Sequence, residues 1–164
     1  QHDNADNIQA HVTGTAEELW EQTDGKIAAF VAGLGTCGTL SGVSSALRNK
    51  GADVRIIGVE PKEAPYYRTG HFEPHLIAGT VPGFTPHNYD PDLVDEIFDV
   101  PGQVAYEAGR TLARTEGMLV GISSGATAWA AREIACRPEF KNRMVVAMIG
   151  DSGERYLSVE GYLI

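Results

Sequence analysis

A glycine-rich segment, Gly33-Leu34-Gly35-Thr36-Cys37-Gly38-Thr39, follows a short apolar run and precedes residues with helical spacing. A turn that leads from a strand into a helix exposes free backbone N–H groups at the positive end of the helix dipole. Such a turn binds anions, and the hydroxyls of Thr36 and Thr39 add donors beside it. The sequence therefore predicts an anion site here, although the same glycines also suit a purely structural tight turn.

The spacing of these glycines leaves the kind of anion open. Gly33, Gly35 and Gly38 match the G-x-G-x-x-G pattern of dinucleotide-binding proteins. Glu60 ends the next apolar run, where an acid would bind a ribose. The two threonines instead favour a terminal phosphate monoester, because this group carries nearly two charges and accepts from many donors. The segment alone does not decide between a pyrophosphate and a monoester.

A second glycine-rich segment, Gly121-Ile122-Ser123-Ser124-Gly125, also lies between an extended stretch and a helix-like stretch. It matches the G-x-S-x-G nucleophile elbow of α/β-hydrolases, in which the serine attacks the substrate. That fold requires a histidine after the serine in the chain, and the last histidine here is His87. The sequence therefore argues against a hydrolase, and a serine-rich helix cap is the plain structural alternative.

Strand-like and helix-like segments alternate along the chain and position both glycine-rich segments. Buried strands are predicted at 27–32, 54–59, 93–100 and 144–149. Helices are predicted near Leu19 and Trp20, behind a capping box of Thr15 and Glu18, and at 40–47, 104–112 and 126–135. This alternation predicts an α/β fold with a mostly parallel twisted sheet and helices on both faces. Ligands of such folds bind at the carboxyl ends of the strands.

Residues 61–91 break this alternation and contain six of the eight prolines. A long irregular segment inside a compact domain is either a disordered insert or a functional loop. The aromatic residues Tyr66, Tyr67, Phe72 and Phe84 favour an ordered loop that faces a substrate.

Composition excludes several classes of function. A net charge of −9 argues against nucleic acid or an anionic membrane as partner, and the apolar runs are too short to cross a bilayer. Two cysteines, Cys37 and Cys136, suit reduced thiols in a cytoplasmic protein. His71 and His75 are separated by Pro74, which interrupts a metal-binding helix, so we expect no metal site. The length predicts a single domain over residues 1–164.

Three motifs together resemble the cysteine synthase (O-acetylserine sulfhydrylase) family, which includes the cystathionine β-synthases. They are AGLGTCGTLSG at 32–42, GMLVGISSGA at 117–126 and GDSGERYLS at 150–158. ELWEQ at 18–22 precedes the first motif, and the loop at 79–86 lies between the first and the second, which is the expected order. The resemblance covers almost the full chain. It implies a pyridoxal 5'-phosphate (PLP) enzyme of fold type II, of which this chain would be the larger, carboxy-terminal domain, and it displaces the NAD interpretation.

The resemblance also implies roles for particular residues. The cofactor's phosphate would be cradled by Gly35, Thr36, Cys37, Gly38 and Thr39. Ser123 would hydrogen-bond the pyridine nitrogen, and Gly79 and Thr80 would border the substrate. Residues 150–156 would be structural and close the sheet beside the ring.

The implied reaction is β-replacement on an amino-acid substrate. An O-activated serine loses its leaving group, and a sulfur nucleophile takes its place to give cysteine or a related amino acid. A serine hydroxyl does not protonate the pyridine nitrogen as an aspartate would, so the ring is a weaker electron sink. This suits loss of a β-leaving group better than transamination. Whether the donor is O-acetylserine, O-phosphoserine or serine stays open, as does the nucleophile.

Three features depart from the family pattern. Cys37 stands where the family usually has glycine, and the loop at 80–84 reads TVPGF in place of a glycine-alanine-glycine stretch. The third departure is the Schiff-base lysine, because none of the four lysines, Lys26, Lys50, Lys62 and Lys141, lies in a motif like the family's. We therefore predict no catalytic residue in this chain. A lysine-bearing amino-terminal half is the expected partner, as a separate chain or a removed segment, with a homodimer of the complete unit.

A second class of function competes with the half-enzyme. Cys37 and the altered loop also suit a non-catalytic binding or regulatory protein that keeps the fold. An NAD-binding domain is the third alternative. A companion chain with a lysine and a threonine-serine-glycine-asparagine loop would separate the first two.

Overall fold

Four parallel strands form the central sheet of this protein, for which a computed structural model describes residues 1–163. The strands are β1 (Ile27–Gly33), β2 (Arg55–Pro61), β3 (Glu96–Val100) and β4 (Met144–Ala147). Their order across the sheet is β3-β2-β1-β4, and each neighbouring pair is parallel. The predicted α/β fold with a mostly parallel sheet is therefore confirmed. All four carboxyl ends lie at one edge, where ligands of such sheets bind.

Six helices accompany the sheet within residues 1–163. They are α1 (Ala5–Ala10), α2 (Ala16–Gln22), α3 (Gly38–Asn49), α4 (Tyr66–Thr69), α5 (Gly102–Thr115) and α6 (Ile122–Ala135). A π-helical turn, His11–Thr15, joins α1 to α2. Short 3₁₀ turns occupy Pro91–Leu93, Pro138–Phe140 and Gly153–Tyr156. Within residues 1–163, the helices are all too short or too polar to span a bilayer.

The core has two halves, one on each face of the sheet. Successive side chains of a strand point to opposite faces, and Phe30 accordingly packs with Leu40 and Leu47 of α3. Its neighbour Val31 packs on the other face with Ile122 and other residues of α6. All five side chains are buried. The helices therefore lie on both faces, as predicted.

The predicted capping box at Thr15 and Glu18 is wrong. Thr15 has helical backbone angles, and its side chain makes no cap hydrogen bond. The chain is helical from Ala5 onward, and Asn4 is the N-cap, because its Oδ1 accepts from Asp6 N at 2.9 Å. The apolar side chain of Val12 packs against the core beneath α3, which holds this polar segment in a helical conformation.

Two other predicted boundaries shift. Helix α6 begins at Ile122, four residues before the predicted start, with Gly121 as its N-cap. Its first turn therefore contains Ser123 and Ser124. Strand β3 begins at Glu96, because Pro91–Leu93 forms a 3₁₀ turn capped by the side chain of Asp90.

The irregular segment 61–91 packs on the domain at several points. The side chains of Ala64 and Ile77 are fully buried. The Tyr67 ring lies 4.7 Å from the Tyr89 ring, between centroids. Val81 N donates to Leu34 O at 2.8 Å, which ties the loop to the glycine-rich turn. These contacts agree with the prediction of an ordered loop.

Candidate functional site

The carboxyl ends of β1 and β4 and the start of α6 border a cavity of about 340 Å³. Seven of the eight predicted binding residues line it: Gly35, Thr36, Cys37, Thr39, Gly79, Thr80 and Ser123. The eighth, Gly38, is buried behind the wall as the first residue of α3. Among the described residues, no carboxylate side chain lines this cavity. Its lining is therefore rich in hydrogen-bond donors and free of negative charge.

Besides a cavity of similar volume, about 350 Å³, two clearly larger cavities lie elsewhere on the domain. One, of about 470 Å³, is lined by charged side chains such as Asp53 and Arg143, which pair with each other. The other, of about 590 Å³, lies between α5 and α6 and includes Trp129. Size alone would favour these two. We assign the site to the smaller cavity because it lies at the carboxyl ends of the parallel strands, where two glycine-rich segments and their hydroxyls converge.

The first turn of α3 supplies donors on one side of the cavity. In residues 1–163, the backbone N–H groups of Thr36, Cys37 and Thr39 donate to no carbonyl. The Gly38 N–H lies 3.3 Å from Thr36 Oγ1. Free N–H groups at the positive end of a 12-residue helix attract an anion. The anion cradle stays a prediction, and these free N–H groups are the donors it would use.

Cys37 has a left-handed backbone, with φ of +63°. This conformation is easy for glycine and costs a residue with a Cβ about 1–2 kcal/mol. The thiol is buried, 3.4 Å from the Tyr67 hydroxyl and 3.7 Å from Gly35 O. Burial raises its pKa to about 11, which keeps it protonated and unreactive at neutral pH. Because φ is positive, the substitution of glycine by cysteine here carries backbone strain.

The loop at 77–81 forms another wall. Gly79, with φ of +85°, brings its carbonyl oxygen so close to Gly35 that a Cβ at Gly35 would overlap it. The Thr80 hydroxyl donates to Ile77 O at 2.7 Å, and its methyl group faces Gly33. The hydrogen of this hydroxyl is therefore used within the loop. At the cavity, the Thr80 oxygen can only accept.

The two neighbouring serines of α6 have different environments. Ser124 is buried, and its Oγ accepts from Gly150 N at 3.1 Å. Ser123 lines the cavity and is only partly buried. Within the described part of the chain, its hydroxyl has no hydrogen-bond partner. Ser124 thus ties the helix to the chain after β4, whereas Ser123 offers its hydroxyl to a ligand.

Asp151 accepts hydrogen bonds that hold the start of α6 in place. Its carbonyl oxygen accepts from Gly121 N at 2.9 Å, and Oδ2 accepts from the Tyr156 hydroxyl at 2.6 Å. A Cβ at Gly121 would overlap Oδ1, so a larger residue there would displace the Asp151 side chain. Burial, followed by the hydrogen bond to Asp151, raises the pKa of Tyr156 to about 12. This corner holds the helix in place, in agreement with the structural role expected of residues 150–156.

None of the four lysines, all within the described residues, lines the cavity. Lys26 pairs with Asp24 and Lys50 with Glu17, both on the surface. Lys62 and Lys141 are exposed. That the cofactor-binding lysine comes from outside this chain stays a prediction.

The sequence prediction missed Asn7 and His11, which approach the cradle from α1 and the π-helical turn. Asn7 Nδ2 lies 3.2 Å from Thr36 Oγ1, and His11 Nε2 lies 3.0 Å from Thr39 Oγ1. His11 also lines the cavity. Their four-residue spacing is the signal that could have found them, because residues i and i+4 share a helix face. It was overlooked because the segment was not predicted to be helical.

The chain matches a family model described as "Pyridoxal-phosphate dependent enzyme" over residues 1–151. It is 39% identical over 165 residues to a cysteine synthase of Haemophilus influenzae, covering 96% of this chain and 52% of that protein. It is also 39% identical over 163 residues to a cysteine synthase of Staphylococcus aureus, covering 99% and 52%. The chain therefore spans about half the length of the curated relatives it matches.

Solved structures show the same likeness. The crystal structure of cysteine synthase from Entamoeba histolytica superposes with a TM-score of 0.94 at 38% identity, covering 96% of this chain and 46% of that one. An O-ureido-L-serine synthase superposes with a TM-score of 0.91 at 38% identity, covering 96% and 50%. The similarity thus extends over nearly all of this chain in both sequence and structure.

Proposed function

Because the chain belongs to the family of pyridoxal-phosphate-dependent enzymes, we propose that it is the phosphate-binding half of a β-replacement enzyme. The proposed product is cysteine or a related amino acid, made from an O-activated serine and a sulfur nucleophile. One observation carries this proposal: Thr36, Thr39 and Ser123 present hydroxyls to one cavity that no carboxylate lines in residues 1–163.

The residues of the cavity fit the cofactor's phosphate. A phosphate monoester carries nearly two negative charges and accepts several hydrogen bonds, which the start of α3 can supply from its N–H groups. Thr36 and Thr39 add two hydroxyls to this set. A bridging pyrophosphate would not use the hydroxyls in this way. The residues proposed to hold the phosphate are Gly35, Thr36, Cys37, Gly38 and Thr39.

Ser123 is proposed to hydrogen-bond the pyridine nitrogen of the cofactor. PLP, when bound, supplies an electron sink that stabilises the charge left at the substrate's Cα. A neutral hydroxyl makes that sink weaker than a carboxylate would, which suits loss of a β-leaving group. Gly79 and Thr80 are proposed to border the substrate, with the Thr80 oxygen as an acceptor.

A lysine-bearing amino-terminal segment is the proposed partner, on the same polypeptide or on another. Covalent PLP chemistry needs a lysine amine, and the lysines of this chain lie away from the cavity. The relatives, whose length is about twice that covered by the match, support the same proposal. We further propose that the complete unit is a homodimer in the cytoplasm, where the unpaired Cys37 and Cys136 would stay reduced.

A non-catalytic binding protein is the second candidate. The strained backbone of Cys37 favours it, because a cysteine in a left-handed turn is costly where the family usually has glycine. Such a protein would bind the cofactor or a related phosphate without turning over a serine derivative.

The test combines this chain with the lysine-bearing amino-terminal half of the Haemophilus influenzae cysteine synthase. Cysteine formation from sulfide and O-acetylserine, O-phosphoserine or serine is measured in the mixture and with each half alone. Activity in the mixture only, lost when the lysine of the added half is replaced by alanine, supports the half-enzyme. A mixture that binds PLP and yields no product from any of the three donors favours the binding protein.

A further inference from the structure

Two side chains outside the glycine-rich turn contact the hydroxyls of the cradle. Asn7 and His11 are four residues apart and lie on one face of the helical segment that precedes β1. Asn7 Nδ2 is 3.2 Å from Thr36 Oγ1, and His11 Nε2 is 3.0 Å from Thr39 Oγ1. Each threonine of the cradle therefore has a side-chain partner from this helical segment.

The direction of the Asn7 hydrogen bond follows from its other contact. Asn7 Nδ2 lies 2.9 Å from Gln1 O, and a carbonyl oxygen only accepts. The NH₂ group therefore faces both Gln1 O and Thr36 Oγ1 and donates to each. Thr36 Oγ1 also accepts from Gly38 N at 3.3 Å. Since both lone pairs of this oxygen are used, the hydroxyl hydrogen of Thr36 is left to point at an anion.

His11 has the corresponding relation to Thr39. Its Nδ1 lies 2.9 Å from Thr15 Oγ1, so the ring is held between two hydroxyls. Burial lowers the pKa of His11 below its ordinary value and favours the neutral ring, in which one nitrogen donates and the other accepts. If Nε2 carries the hydrogen, Thr39 accepts and keeps its own hydrogen for the anion. In the other tautomer, Thr39 donates to His11 and has none left.

Glycines of α3 allow this close contact. A Cβ at Gly38 would overlap the amide of Asn7. A Cβ at Gly42 would lie 2.6 Å from Ile8 O and 2.7 Å from His11 Cβ, closer than real contacts come. The two glycines are one turn apart and face α1 and the π-helical turn. The close packing of α3 against α1 and the π-helical turn thus brings Asn7 and His11 to the cradle.

We propose that Asn7 and His11 are positioning residues that donate to Thr36 and Thr39, so that both threonines present their hydroxyl hydrogen to a bound phosphate group. The inference rests on the proposed phosphate cradle and extends it to a second layer. It predicts that a bound phosphate selects the tautomer of His11 with the hydrogen on Nε2. The π-helical turn at His11–Thr15, a rare form often found at functional sites, places Thr15 to donate to Nδ1.

The first test is made on the chain without substitutions, and a variant serves only to assign the signals. Nitrogen-15 NMR of the histidine side chains of the 164-residue chain distinguishes protonated from bare ring nitrogens, with inorganic phosphate or PLP as the probe. His11→Gln identifies the His11 signals by their loss. We expect a proton on Nε2 and none on Nδ1 when phosphate is bound, because Thr15 is placed to donate to Nδ1. A bare Nε2 in the phosphate complex overturns the proposal, and so does a wild-type chain that binds neither probe.

The second test compares variants of similar length at His11 and Asn7. His11→Gln keeps an N–H near the position of Nε2 and should keep phosphate affinity within about threefold, whereas His11→Met loses the donor and should weaken it about tenfold. Asn7→Asp accepts from Thr36 and should weaken affinity by tenfold or more, with Asn7→Leu as its uncharged comparison. Equal affinities of the glutamine and methionine variants, both folded by circular dichroism, contradict the proposal.

These experiments separate the inference from the proposed function. Phosphate binding with Nε2 protonated, together with no cysteine formation in the reconstituted mixture, supports the positioning role and sinks only the β-replacement activity. Cysteine formation in the reconstituted mixture, together with a bare Nε2 in the phosphate complex, supports the β-replacement activity and contradicts the positioning role.

Discussion

The two glycine-rich segments that enter the cavity are held in place by different means. Side chains from distant parts of the chain hold the first, at 33–39: Asn7 and His11 contact its threonines, and the Tyr67 hydroxyl lies 3.3 Å from Gly35 O. The second, at 121–125, is held mainly by backbone contacts, because Gly121 N donates to Asp151 O and Gly125 abuts the backbone of α5.

This difference reflects what each segment has to present. The first segment offers many donors to one anion, so the hydrogens of its hydroxyls must be oriented, and orientation requires side-chain partners. The second offers a single hydroxyl, that of Ser123, which needs only a well-placed helix. Substitutions in the first segment should therefore change binding more than stability, except at the strained Cys37. Substitutions in the second segment should change stability more than binding, except at Ser123.

Gly125→Ala should have the largest effect on stability. A Cβ there would overlap Ala105 O and lie 2.9 Å from Gly109 N, both of them backbone atoms that cannot move aside alone. Helices α5 and α6 would have to separate, and we expect a loss of about 3 kcal/mol in the free energy of unfolding. Urea denaturation measures it. Gly14→Ala is the matched control, because its Cβ would have nothing within 4 Å in a helical turn. Equal stability of the two variants would contradict the close packing of α6.

The two cysteines should differ greatly in reactivity. With a pKa of about 11, roughly one Cys37 thiol in a thousand is ionised at pH 8, and the side chain is buried. Cys136 is exposed. Iodoacetamide at pH 8 should label Cys136 in the native chain and reach Cys37 only after denaturation, as peptide mass spectrometry would show. Cys136→Ser should leave no fast-reacting thiol. Rapid native labelling of Cys37 would mean that the first segment opens readily.

The fold could be predicted from the sequence because its strands are short runs rich in apolar residues, and glycine ends the first of them. Residues 27–32 became β1 almost unchanged, and the helix after it begins where the glycines of the turn end. The amino-terminal helix could not be predicted in this way. Its polar residues show little periodicity, and it is held by packing of Val12 and by Asn4 as a cap, so a local capping pattern at Thr15 was misleading.

The site was partly predictable for a similar reason. Residues that bind through the backbone or a local hydroxyl, such as Thr36 and Ser123, lie in motifs that are continuous in sequence. Asn7 and His11 act across 29 and 28 residues. Their four-residue spacing places them on one helix face but does not point to Thr36 and Thr39. The left-handed backbone of Cys37 was also hidden, because cysteine rarely adopts it and no local residue requires it.

Ser123→Ala and Ser124→Ala should give opposite results within one helical turn. Ser124 Oγ accepts from Gly150 N, so its removal loses this hydrogen bond and should cost about 1 kcal/mol of unfolding free energy. Ser123 lines the cavity, and its removal should leave stability unchanged within about 0.5 kcal/mol while weakening PLP retention in the complete unit. Thermal denaturation and cofactor dialysis measure the two effects. Loss of stability in Ser123→Ala with PLP retention intact would reverse the assignment of the serines.

Cys37→Gly should have the smallest effect on the free energy of unfolding, and the direction of that change is more informative than its size. Glycine removes the strain of a left-handed backbone but adds flexibility to the unfolded chain and gives up the buried thiol. Cys37→Ala gives up the thiol and keeps the strain. The glycine variant should therefore be more stable than the alanine variant by about 1 kcal/mol in urea denaturation.

The glycine variant should bind phosphate at least as well as wild type, because the N–H groups of the turn are unchanged. An alanine variant as stable as the glycine variant would show that the turn relaxes out of the left-handed conformation. A large loss of phosphate affinity in Cys37→Gly would show that the contact between the thiol and Tyr67, and not the backbone alone, holds the first segment in its binding conformation.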